Sequence, residues 1–311
     1  MKVLETIIPV FFMLLLGFLS RRYHWISPDQ KEGVKKVLFS IVLPIVVFNA
    51  IFTSDIQPSL FLVILYALLA WCAAFVIGKL CSKWISERYS KIVPYMLWTV
   101  EGGSVALPLY TSIVGEGYAI NTITFDMAGI IIGFVLIPIL VSKESAKNAS
   151  SSEIIKKILT NSFVLALVFG LILNFMGVYS LLDKINVLTI YTDTVSMATV
   201  SLTGLILFSM GYELSLKFSM LMPILRLSLI RIVTSVMIVL GIFFLFPHLM
   251  ENRYFMIAVL VYFSCPTGFA NQLQVQPLFK DETDESFLST YLSLYMIVTL
   301  IAYVLIVSFV V

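Results

Sequence analysis

Long apolar runs separated by short polar breaks recur from one end of the chain to the other. A bilayer core takes about 20 apolar residues per helix. Runs of that length predict ten spans, over 4–20, 34–53, 59–80, 91–114, 120–141, 158–177, 190–211, 220–246, 252–278 and 286–310. The fourth and ninth carry polar interruptions. In the fourth, Glu101-Gly102-Gly103-Ser104 precedes Pro108; in the ninth, Ser264-Cys265-Pro266-Thr267-Gly268 leads to Asn271 and Gln272. Proline lacks a backbone donor and clashes with the preceding turn, so it breaks or kinks an apolar helix. Backbone freed inside a bilayer persists only within protein or beside a wet cavity. Helix breaks are therefore expected near 102–108 and 264–268.

The longest polar stretch, Ser142–Lys157, divides the chain into a five-helix unit over 1–141, a linker over 142–157 and a second five-helix unit over 158–311. An odd number of spans per unit inserts the second upside down relative to the first. The units resemble each other weakly. Pro108 and Pro266 are 158 residues apart, Phe48 and Phe208 are 160 apart, and acidic residues, Asp55 and Glu213, follow the second and seventh spans. The fold class expected is an all-α polytopic membrane protein, a 5+5 inverted repeat with crossed broken helices four and nine. Matching broken segments in two halves point to a transporter's substrate site.

Basic residues set the orientation. Of 20 lysines and arginines, 17 fall in or beside the odd-numbered loops, leaving Lys2, Lys184 and Arg253 on the other side. The odd loops are expected in the cytoplasm and both termini outside, in the cell membrane. At 60% hydrophobic and 12% charged, with mean hydropathy +1.02, the chain is excluded from the soluble class. A net charge of +2, scattered along the chain, gives no footing for nucleic acid. Cys72, Cys81 and Cys265 lack metal-ligand spacing. His24 and His248 fall in loops, and no phosphate-cradling motif occurs, so an enzyme and a bound cofactor are not expected. Lys2 is offset by Glu5, and no small-residue cleavage site follows the first run, so no cleaved leader is expected.

The candidate chemistry lies at the breaks. If Pro108 and Pro266 each open a new helical segment, free N–H groups and the positive dipole end point at mid-membrane. Two such ends, lined by Gly103, Ser104, Thr267, Gly268 and Asn271, would hold an anion without a cation; the other reading is that neighbouring side chains cap them. Glu101 lies some ten residues into the fourth span, near mid-depth, where an acid is a functional candidate. It could carry a proton, ligate sodium with Asn271 and Gln272, or pair with Arg231. Asp126, about six residues into the fifth span, could join it or line an outer vestibule. Arg231, placed a turn and a half inside the eighth span, either snorkels to the cytoplasmic surface or attracts an anion at the inner mouth. Asn49, near the outer end of the second span, could also line the site. Trp98, Tyr110 and Tyr262 flank the breaks, either packing there or contacting an apolar substrate body.

Several of these residues also carry a family resemblance. Leu43-Pro44 with Phe48-Asn49, the Gly-Gly-Ser-Val-Ala-Leu-Pro-Leu run ending at Leu109, and Ser209-Met210-Gly211 resemble motifs of the auxin efflux carrier family. That family includes plant PIN proteins and bacterial malate or malonate permeases, and the missing long central loop resembles the bacterial branch. The resemblance implies the crossover fold shared with bile acid:sodium symporters, similar to sodium–proton antiporters. It implies a secondary transporter of small organic anions working by alternating access. Glu101 departs from the pattern, since the family often has asparagine seven positions before the first crossover proline. Coupling to H+ or Na+ is therefore expected. The partners expected are the anion, membrane lipid and a second copy in a homodimer. The alternatives are a bile-acid-type sodium symporter or cation antiporter and, in another class, a carboxylate-binding membrane sensor.

Overall fold

The computed structural model describes residues 2–54, 58–144, 156, 159–160, 162–213, 220–268, 271 and 274–310. The described residues form helices joined by short turns, with no strand among them. The first helices are α1 (Lys2–Arg22), α2 (Pro28–Phe52), α3 (Pro58–Ile85) and α4 (Gly102–Val114). Next, α5 begins as Ile120–Ile131 and continues through a wider turn, Ile132–Leu136, into Ile137–Glu144. The later helices are α6 (Ser162–Phe175), α7 (Val178–Lys184), α8 (Leu188–Tyr212), α9 (Leu221–Leu245), α10 (Arg253–Ser264) and α11 (Glu282–Phe309).

Local chemistry accounts for several helix starts. A capping box opens α2: Ser27 Oγ accepts from the Gln30 N–H, Gln30 Oε1 accepts from the Ser27 N–H, and Pro28 follows. Asn252 caps α10, accepting from Tyr254 and Phe255, while Asp281 caps α11 through the Thr283 N–H. Arg88, in the turn after α3, donates to both Asp281 oxygens at 2.7 Å and holds that carboxyl down at about 2.

Among the described residues, five helices are long and apolar enough to cross a membrane: α2, α9 and α8, most of α3 (from Leu60) and α11 (from Thr283). Counting the bent pair of α6 and α7 as one span makes six. The fourth, fifth and ninth expected spans contain shorter apolar helices, Gly102–Val114, Ile120–Ile131 and Arg253–Ser264. The sixth expected span ends in a sharp bend. Gly177 adopts a left-handed φ of 67°, and the chain bends by 60° between α6 and α7. The linker is described only at its edges, Asp55 lies outside the described residues, and nothing is described of the Glu213 side chain.

Apolar side chains face outward along helix stripes, as a lipid-facing surface requires. On α9, Leu229, Val233, Val236, Leu240 and Phe244 are exposed; on α3, Leu62, Leu65, Leu69, Val76 and Leu80 are exposed. Glycines bring helices together where apolar lipid supplies no hydrophobic drive for association. A β-carbon on Gly17 would fall 1.9 Å from the Phe208 carbonyl oxygen, and one on Gly211 would fall 1.9 Å from that of Leu14. Those approaches seat α1 along α8. Likewise α6 lies along α2, where a β-carbon on Gly170 would fall 3.2 Å from Ile51 Cβ. Asn174 of α6 donates to the Ile51, Phe52 and Ser54 carbonyls, closing the C-terminal end of α2.

Because the Gly17 and Gly211 approaches are backbone-to-backbone, a larger side chain has no flexible neighbour to displace. Gly17→Val and Gly211→Val should each lower stability by about 1–3 kcal/mol or more through overpacking. Gly33→Ala, at a position with open space around it, should be nearly silent. Heating detergent-solubilised variants and measuring the remaining monodisperse protein checks the difference.

Candidate functional site

After the short helix Val93–Met96 the chain leaves helical geometry and resumes it at Gly102. The unwound stretch is therefore 97–101, just ahead of the expected 102–108. Wide i→i+5 bonds follow, with Ala106 N–H donating to the Glu101 carbonyl at 3.1 Å. Pro108 sits in the second position of the regular segment Leu107–Val114, six residues past the new start rather than at it. Proline here lies where the wide turn has already displaced the usual bonding.

The free N-terminal end of α4 belongs to Gly102–Ser104, and Glu101 caps it. The Glu101 carboxylate accepts from the Ser104 N–H at 3.4 Å and from the Ser104 hydroxyl. The first of the two ends expected to hold an anion is thus capped by the chain's own carboxylate. Its charge suits the positive end of the helix dipole.

The second break follows α10. Cys265 turns extended (φ −78°, ψ 159°), and Pro266, Thr267 and Gly268 continue without helical geometry. Here Pro266 lies inside the unwound strand instead of opening a helix. The two breaks bond directly: the Glu101 N–H donates to the Pro266 carbonyl at 2.8 Å. Asn271, 1% exposed, adds a side-chain link, its amide donating to Thr99 Oγ1 (2.9 Å), the Tyr95 carbonyl (3.2 Å) and Thr267 Oγ1 (3.3 Å). Gly268 eases this closeness, since a β-carbon there would lie a tight 3.2 Å from Thr99 Oγ1.

Arg231 joins the same place from α9. It follows Leu221 by ten residues, about 15 Å along the helix and near its middle, deeper than a turn and a half. Its side chain is 0% exposed, so it does not snorkel. Without it, 16 of the 20 basic residues remain on the odd-loop side, and the charge asymmetry stands. The guanidinium donates to the carbonyls of Met96 (2.9 Å), Thr99 (2.6 Å) and Cys265 (3.3 Å). Met96 and Cys265 close helical segments and Thr99 lies in the unwound stretch, so their carbonyls lack the usual helical partners. The rings of Trp71 and Tyr295 lie 5.6 and 5.5 Å from the guanidinium carbon, a cation–π sandwich between α3 and α11. A Glu101–Arg231 ion pair is not among the described ones. Nη1 and Nη2 of Arg231 donate to backbone instead.

Asp126 of α5 approaches from the opposite side of Gly102. A β-carbon on Gly102 would fall 1.9 Å from Asp126 Oδ1, so with any larger residue here the carboxylate would have to move away. The Tyr262 hydroxyl of α10 donates to the same oxygen at 3.3 Å. Gly103 performs a similar service against Leu43 of α2, whose Cδ2 would lie 2.8 Å from an added β-carbon. Two acidic side chains, a phenol and a serine hydroxyl thus adjoin the first break.

Of the expected site residues, Glu101, Gly103, Ser104, Asp126, Arg231, Pro266, Thr267, Gly268 and Asn271 converge here, and Pro108 is buried in α4 one and a half turns on. Asn49 does not join them. Its Oδ1 accepts from the Tyr191 hydroxyl at 2.8 Å, beside the aromatic contacts among Phe52, Tyr179 and Tyr191. Gln272 lies outside the described residues. Sequence reasoning missed Thr99, which both accepts from Asn271 and adjoins Gly268. It also missed Thr299 of α11, whose hydroxyl donates to the Ser264 carbonyl at 2.8 Å. Thr99 was findable as the polar residue two before Glu101; a threonine within the apolar run of α11 gives no signal.

These features define a polytopic helical membrane protein with a polar cluster buried where two helices break. The chain matches the family model described as membrane transport protein over residues 2–307, and it belongs to that family, that of the auxin efflux carriers. It is therefore a membrane transporter. A comparison with curated proteins gives no match.

Replacing Arg231 by methionine leaves three carbonyls without their donor, at about 1–3 kcal/mol for each buried unsatisfied group. Arg231→Met should lower the unfolding midpoint by several degrees, and Arg231→Lys, which retains charge and some donors, by less. Heated samples analysed by size exclusion test the order.

Proposed function

We propose that the protein carries small organic anions, of the carboxylate class, by alternating access around the place where the two breaks meet. The observation that carries this reading is the Glu101 N–H bond to the Pro266 carbonyl, with Arg231 tying both segments from α9. Bonded breaks surrounded by buried polar groups suit a substrate site between moving parts. Packing supports the inverted-repeat reading. The first span lies on the seventh and the sixth on the second, pairs that exchange when the two five-helix units are swapped. In this reading helices four and nine cross at mid-membrane, the basic face is cytoplasmic and both termini lie outside.

Glu101 is the coupling group. As an ionised side chain it fills the N-terminal end of α4; when it takes a proton or a cation, that end becomes more available to the substrate's own carboxylate. Asp126, reaching the neighbouring Gly102, makes two ionised carboxylates costly together and favours cation uptake. This carboxylate pair also keeps cation antiport as the second reading. A sensor would bind the anion without accumulating it.

Glu101→Gln is a clean test, because the amide oxygen can still accept from Ser104 while the charge is lost. Proteoliposomes with a proton or sodium gradient should accumulate radiolabelled mono- or dicarboxylate in the parent protein. In Glu101→Gln, gradient-driven accumulation should fall at least tenfold while exchange of preloaded substrate persists. Full gradient-driven uptake by the variant would exclude the coupling role, and saturable binding without uptake by the parent would establish the sensor.

A further inference from the structure

Backbone carbonyls engage two of the three side-chain nitrogens of Arg231, Nη1 and Nη2. The third, Nε, is buried and finds no hydrogen-bond partner among the described residues. Three atoms around it share that condition: Trp71 Nε1 on α3, the Ser235 hydroxyl on α9 and the Tyr291 hydroxyl on α11. The Trp71 ring lies 5.6 Å from the guanidinium carbon, and Ser235 follows Arg231 by one turn on the same buried face. Tyr291 stands one turn before Tyr295, their rings 5.9 Å apart, and the Tyr295 ring is 5.5 Å from the guanidinium carbon. Tyr295 also comes up to Ser235 and Arg231, without giving Ser235 Oγ or Arg231 Nε hydrogen-bond geometry. Trp71, Arg231 and Tyr291 are 0% exposed and Ser235 is 6% exposed.

We propose that these four groups hold a compact inorganic anion of the halide class, such as chloride, beside Arg231 and apart from its contacts with the helix breaks. The indole and guanidinium N–H groups can only donate, and the two hydroxyls can each donate as well. Buried donors left unmade are costly, and four of them around one cation call for an acceptor. A water accepts two such bonds and must then donate two of its own. An anion accepts from every side, and the guanidinium charge favours it over a neutral molecule. Size points to a single atom. Trp71, Tyr291, Tyr295 and Phe263, which stacks on Trp71 at 5.4 Å, are among the largest fully buried side chains, so the body of an organic acid has no way in without displacing them.

Such an anion would tie α3, α9 and α11 together at the one residue whose other nitrogens hold both breaks. It would stabilise the junction as a bound counter-ion. The inference stands whether or not the transported species is a carboxylate.

Melting of the detergent-purified protein is compared in sodium chloride and in sodium gluconate at equal ionic strength, alongside equilibrium binding of radiolabelled chloride. The parent should bind chloride saturably, and saturation should raise its melting temperature by at least about 3 °C over gluconate. Tyr291→Phe removes a hydroxyl that has no partner, so in gluconate this variant should be at least as stable as the parent. Its chloride affinity should fall about tenfold, the worth of one hydrogen bond to a charged group. Ser235→Ala should behave in the same direction. Tyr303→Phe, which loses a bond to Ser112 farther along α11, should melt lower in both salts and keep the full chloride response. A parent that melts identically in both salts and binds no chloride would overturn the proposal and leave the donors to water. Undiminished chloride binding by both Tyr291→Phe and Ser235→Ala would place the anion elsewhere and overturn it equally. Stabilisation by formate or acetate but not by chloride would overturn the halide assignment.

Discussion

A helix that breaks halfway through a bilayer leaves carbonyl oxygens and N–H groups where no water reaches them, and the protein must supply every partner itself. Here the solution is divided by sign. Arg231, buried at the middle of α9, donates to the carbonyls of Met96, Thr99 and Cys265. Glu101, at the opposite polarity, accepts from the N-terminal end of α4. The polar cluster therefore depends on a guanidinium that can reach two separate segments at once with a planar array of donors. A lysine could bring equal charge but not the same fan of bonds.

That constraint shapes the neighbourhood. Trp71 and Tyr295 flank the guanidinium with their faces, giving the buried charge a favourable setting. Glu101 caps α4 while Asp126 reaches the adjoining Gly102. Away from the breaks, tight glycine contacts set α1 on α8, and a triple cap by Asn174 secures α6 to α2. The chain thus combines closely apposed helix pairs with a polar junction where backbone bonds bridge distant segments.

Much of this was legible because it violates a pattern. Glu101, the paired glycines and the two prolines interrupt apolar runs, so the breaks announced themselves within a few residues. Their inner chemistry did not, because the decisive acceptors are backbone carbonyls, which every residue has. Arg231 was misread for a related reason. Counting it with the cytoplasmic charges placed it too shallow, when its ten-residue separation from Leu221 already implied mid-depth. Asn49 signalled a need for a hydrogen-bond partner without saying which, and the partner is Tyr191. The bend at Gly177 and the wide turn at Ile132–Leu136 lie in sequence that stays compatible with membrane helix, so hydropathy passes over both.

The central claim is that two broken helices meet and share one buried arginine. Electron cryomicroscopy of the protein in lipid nanodiscs, at a resolution that shows side chains, tests it most directly. The account predicts unwound backbone at 97–101 and 265–268, with the Arg231 guanidinium within hydrogen-bond distance of carbonyls from both. A continuous helix through either stretch, or an Arg231 side chain directed to the membrane surface, would contradict it.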